Sequence, residues 1–94
     1  MANVWYWSGS WTSGGDGDDL GPGETHDWIM WGYNYGDAIT LTAHPVGGAD
    51  ENILAIENVQ IQADGSGRRL FYTVRNVGSN FITGYAVGFA GVSQ

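Results

Sequence analysis

Arg69-Leu70-Phe71-Tyr72-Thr73-Val74-Arg75-Asn76 alternates along its whole length. Leu70, Tyr72 and Val74 fall on one side and Arg69, Phe71, Thr73 and Arg75 on the other, the period of a strand with one buried face. Asp64-Gly65-Ser66-Gly67 before it reads as a hairpin turn, and Gly78-Ser79-Asn80 after it turns the chain again. The next segment, Phe81 to Val92, sets Tyr85, Val87 and Phe89 on one side. Gly84, Ala86 and Gly88 leave its other side nearly bare, which permits close approach of another backbone or sheet. Upstream, Ile53 to Ala63 alternates with a change of parity, from Leu54 and Ile56 to Val59 and Ile61. One extra residue near Glu57-Asn58 reconciles both pairs with a single core, so a β-bulge or a crossing between sheets is predicted there.

The N-terminal half extends the pattern. From Val4 to Thr12, Trp5, Trp7 and Trp11 share one side and Tyr6, Ser8 and Ser10 the other. Ser13 to Glu24 is a Gly/Asp loop ending in Gly21-Pro22-Gly23. Thr25 to Tyr33 is apolar on both sides, with Trp28 and Met30 against Ile29 and Trp31. Asn34-Tyr35-Gly36-Asp37 reads as a hairpin connection into Ala38 to His44, where Ile39, Leu41 and Ala43 oppose Thr40, Thr42 and His44. Six to seven short strands with frequent turns, and no stretch of helical spacing, predict one all-β domain over residues 1–94. Its expected form is a small antiparallel immunoglobulin-like β-sandwich. No internal repeat points to a propeller or solenoid.

Composition narrows the possible partners. The 43% hydrophobic content rules out a disordered chain, and with no cysteine there is no disulfide to support so small a core. The net charge is −7, and the first cationic side chain is Arg68. Nucleic acid and anionic membrane surfaces are therefore poor partners, whereas neutral ligands, cations and protein surfaces stay open. No apolar run approaches roughly 18 residues, so a soluble chain without membrane insertion is expected. The N-terminus shows no signal-peptide pattern, and secreted, cell-surface and other locations all stay open.

Two short motifs carry a resemblance. Leu20-Gly21-Pro22-Gly23-Glu24 is similar to the L-x-P-G-E lead-in of bacterial immunoglobulin-like modules. Phe71-Tyr72-Thr73-Val74-Arg75-Asn76-Val77-Gly78 resembles the strand and turn of cell-adhesion-related domains of the CARDB type, over about residues 20–90. The shared physical logic is a buried valine, an Asn bonding the turn backbone and a Gly at positive φ. The resemblance implies accessory binding or surface presentation and supplies no catalytic residues.

All five tryptophans lie in the first third of the chain, more ring surface than so short a polypeptide readily hides. The rings admit three readings: core, subunit interface, or a platform that stacks on sugar faces. As a platform, Trp5, Trp7, Trp11, Trp31, Tyr33 and Tyr35 would stack, with Asn34 and Asp37 as polar contacts. The acidic loop offers Asp16, Asp18 and Asp19, with Glu24 nearby, for calcium; the favoured alternative is a solvated turn. His26 and His44, placed on adjacent strands beside Asp27, lack the local spacing of a zinc site and read as surface positions. No nucleophile elbow, HExxH or phosphate loop is present, and nothing sets the separation of Asp18 and Asp27 as a glycosidase pair. Arg68, Arg69 and Arg75 either form intramolecular ion pairs or meet the acidic loops of another subunit.

The expected function is thus non-catalytic, lectin-like recognition of a neutral carbohydrate without a cofactor. The alternative is a structural module that forms a homo-oligomer or filament through its aromatic face and the segment Phe81 to Ala90.

Overall fold

The computed structural model describes residues 3–14, 18–31, 38–46, 52–64 and 67–93. These residues form β1 (Asn3–Thr12), β2 (Thr25–Trp31), β3 (Ala38–Pro45), β4 (Leu54–Asp64), β5 (Gly67–Asn76) and β6 (Gly84–Ser93). The strands assemble into two three-stranded antiparallel sheets, ordered β1-β6-β3 and β2-β5-β4. The chain is an all-β sandwich, as the alternation predicts. Among the described residues there is no helix long and apolar enough to cross a membrane.

Strand order, which alternation leaves open, is interleaved. Consecutive strands lie in opposite sheets except β4 and β5, whose pairing ends with Asp64 opposite Gly67. The two sheets are thus filled by interleaved strands, β1, β6 and β3 in one and β2, β5 and β4 in the other. One expectation fails here. Asn34-Tyr35-Gly36-Asp37 does not connect a hairpin, because β2 and β3 belong to different sheets. A turn-forming sequence dictates a reversal but not the sheet that the next strand joins. Residues 34–37 themselves lie outside the described residues.

The core follows from which strands are central. β5 and β6 have a neighbour on each side, and they supply Leu70, Tyr72, Val74, Tyr85, Val87 and Phe89, all buried. Each such side chain contributes about 1.5–3 kcal/mol when removed from water. Edge strands pack partly buried groups around them: Trp5 and Trp11 from β1, Trp28 and Met30 from β2, Ile39, Leu41 and Ala43 from β3, Leu54 and Ile56 from β4. The sheets come closest along β3 and β4. On the opposite side, between β1 and β2, large rings fill the gap.

The predicted irregularity in β4 is a bulge. The β4–β5 register shifts between Glu57 and Gln60, and Asn58 takes φ = 54°. The shift puts Ile61 opposite Leu70, on the inner side. The core does not reach that far along an edge strand, so Val59 and Ile61 stay half-exposed at 47% and 57%.

The loop before β2 is more structured than its composition indicates. Leu20 is buried and exchanges two backbone hydrogen bonds with Ile82, both 2.9 Å. The last strand consequently begins at Gly84 and not at Phe81, which is exposed. Pro22 at the second position, Gly23 at φ = 81° and a Glu24 N–H to Gly21 carbonyl bond of 3.0 Å define a type II turn. Asn76 is fully buried beside it. Its amide donates to the carbonyls of Leu20 (2.9 Å) and Asn80 (2.7 Å), and its oxygen accepts from the Gly78 N–H (3.0 Å). The Asn of the resemblance motif thus bonds its turn as expected. The positive φ does not fall on Gly78: among the described residues only Gly23 and Asn58 adopt it.

Candidate functional site

Opposed residues of an antiparallel pair share a side, so the β1–β6 register turns Trp5, Trp7, Gly9 and Trp11 inward with Gly91, Phe89, Val87 and Tyr85. Trp5 packs over Gly91. Trp7 leans toward Gly9 and lies 5.0 Å from the Phe89 ring, yet remains 53% exposed. Trp11 packs against Tyr85 at 5.2 Å and meets His26 edge-on at 4.5 Å. The structure thus brings Trp5, Trp7 and Trp11 to one side and adds His26 and Trp28 from β2. Trp5 and Trp11 serve the core, and Trp7 is left half-open at the seam. Trp31 pairs with Arg69 through its backbone, while Tyr33, Asn34, Tyr35 and Asp37 lie outside the described residues.

Within this seam two hydrogen bonds meet at one oxygen. The Trp28 indole N–H, which can only donate, gives its proton to the Tyr85 hydroxyl at 2.7 Å. His26 Nδ1 lies 2.7 Å from the same oxygen and accepts the phenolic proton in the Nε2–H tautomer of the neutral ring. Burial pushes the Tyr85 pKa up to about 12, against the Trp28 hydrogen bond, with Tyr72 adding to the rise. Burial also lowers the His26 pKa, opposed by the charges of Glu24 and Asp27. At neutral pH both groups therefore stay uncharged, as a packed polar cluster requires. His26 is a half-buried partner of Tyr85 and not the surface position that its sequence suggests.

The metal candidates disperse. His26 and His44 sit on β2 and β3 in opposite sheets and not on adjacent strands, and His44 Nε2 lies 3.1 Å from the Thr42 hydroxyl. The Glu24 carboxylate accepts from the Gly21 N–H within its own turn. Asp18 is exposed, Asp19 half-buried, and Asp16 lies outside the described residues. Among the described residues, no three His, Cys, Asp or Glu side chains gather as metal ligands would.

A second arrangement lies on the outer face of the β2-β5-β4 sheet. Asp27, Thr73 and Glu57 form one cross-strand row, and Ile29, Phe71 and Gln60 form the next. The bulge falls between these rows. The result is a shallow, open depression of about 420 Å³ lined by Asp27, Ile29, Asn58, Gln60, Phe71 and Thr73, among others. The Thr73 hydroxyl is buried and donates to Asp27 Oδ1 at 2.7 Å, fixing the carboxylate at the rim. Below this row Arg75 donates to Glu57 Oε1 (2.7 Å) and to the Gly23 carbonyl (2.9 Å). Arg75 therefore makes the intramolecular ion pair, one of its two expected roles. The residues of the depression come from three strands and are far apart in the sequence. The parity change near Asn58 was the available signal.

No known protein family matches this chain, and no curated protein or solved structure is significantly similar to it.

Proposed function

We propose that this chain is a non-catalytic recognition module for a neutral carbohydrate, bound on the outer face of the β2-β5-β4 sheet. The observation that carries this reading is the depression at the β4 bulge, where an aromatic ring and an aliphatic side chain are rimmed by an amide pair and a carboxylate. A sugar ring presents a C–H face that stacks on Phe71 and Ile29, and hydroxyls that pair with Asn58, Gln60 and Asp27. Bulges and non-glycine residues at positive φ concentrate where a side chain is re-aimed toward a ligand, and Asn58 has both properties. The chain's charge of −7 favours neutral over anionic glycans.

Calorimetric titration with soluble glucans, mannans and galactans tests the proposal. Binding should be abolished by Phe71→Ala and weakened at least tenfold by Asn58→Gly, which keeps the positive φ and removes only the amide. Absence of binding to every neutral glycan, or binding unchanged in both variants, would overturn the assignment.

A further inference from the structure

Among the described residues, β1 is an edge strand without the charges, prolines or bulges that keep edges from pairing. Among the described residues it bonds to β6 on one side only. Its ten residues contain no charge and no proline. Edge strands are ordinarily blunted by charges, prolines, bulges or cover. The other three edges carry such features: β2 has Asp27, β4 has its bulge with Glu57 and Asp64, and β3 ends in Pro45 and runs against β4. β1 also holds three large apolar side chains in the open, Val4 at 79%, Tyr6 at 71% and Trp7 at 53% exposure.

We infer that β1 pairs antiparallel with the β1 of a second copy of this chain about a twofold axis, merging two three-stranded sheets into one of six strands. Three observations favour a second copy as the occupant. Opposed residues in an antiparallel pair share a side, so a strand facing itself matches its own inward and outward alternation. The register that sets Ser8 against itself overlaps Val4 to Thr12 completely and opposes Trp5 to Trp11 and Trp7 to Gly9. Finally, two chains of charge −7 repel over most of their surfaces, and β1 is a place where they meet without opposing like charges. A single strand edge is narrow beside the roughly 800 Å² per partner of a standard stable interface, so the dimer should dissociate on dilution.

Sedimentation from about 1 µM to about 1 mM reads the monomer–dimer equilibrium. The full chain should double in mass across that range, and Ser8→Lys, at an exposed position, should hold it at monomer mass with unchanged near-UV circular dichroism. Because the chain has no cysteine, single-cysteine variants report the register directly. Ser8→Cys should form a disulfide-linked dimer under mild oxidation at least tenfold faster than Ser10→Cys. Monomer mass throughout, a dimer that persists in Ser8→Lys, or equal cross-linking at both positions would overturn the proposal.

Discussion

Trp5 stands directly opposite Gly91 in the β1–β6 ladder, and its indole occupies the space that any side chain on Gly91 would need. A glycine in a central strand ordinarily weakens it, and the ring laid across the gap restores what the missing side chain would cover.

Gly91→Ala should therefore destabilise the fold by about 1–3 kcal/mol through overpacking. For a domain of this size that lowers Tm by roughly 5–15 °C in calorimetry. Adding Trp5→Leu should recover part of the loss, since the smaller side chain clears the overlap. A double variant no more stable than Gly91→Ala alone would assign the cost to the backbone.

Tyr85→Phe keeps the ring and removes one oxygen on which Trp28 and His26 both depend. Leaving part-buried polar groups without their partner costs about 1–3 kcal/mol, readable by urea denaturation. The Trp28 fluorescence should shift as its indole N–H loses its acceptor.

His26 makes stability pH-dependent. Burial, opposed by Glu24 and Asp27, holds its folded pKa below the ordinary 6.5. Between those two values the unfolded chain carries the extra proton. Stability contributed by the neutral ring is full above pH 6.5, falls as pH drops toward the folded pKa and levels off below it. Melting temperatures measured across this window should decline for the native chain and run flatter for His26→Gln.

Asn76→Ala removes three hydrogen bonds from a fully buried position and strips partners from the Leu20 and Asn80 carbonyls and the Gly78 N–H. A loss of about 3 kcal/mol or more is expected by denaturant titration. Amide exchange should accelerate first in the 76–82 turn and at Leu20.

The central strands were legible in the sequence because they alternate against a core on one side only. Leu70, Tyr72, Val74, Tyr85, Val87 and Phe89 all turn inward as their parity predicts. The β4 bulge was legible too, because a parity change leaves a permanent mark in the pattern. Sheet membership was not: alternation says which way a residue points but not which strand lies beside it, so β2 and β3 looked like neighbours. The burial of Leu20, one apolar residue in a Gly/Asp loop, depends on a bridge to Ile82 far along the chain, which no local pattern shows. The depression on the outer face of the β2-β5-β4 sheet was hidden for the same reason. Asp27, Asn58 and Phe71 become neighbours only once three strands are aligned.

The order of strands also bears on how the protein is made. β6 is synthesised after both β1 and β3, yet it holds both in place. At ribosomal speeds, β1 waits on the order of ten seconds for the partner that covers its indoles. A chain lacking Gly84–Ser93 would leave β1 with its tryptophans and β3 with its apolar side chains without the strand on which both pair.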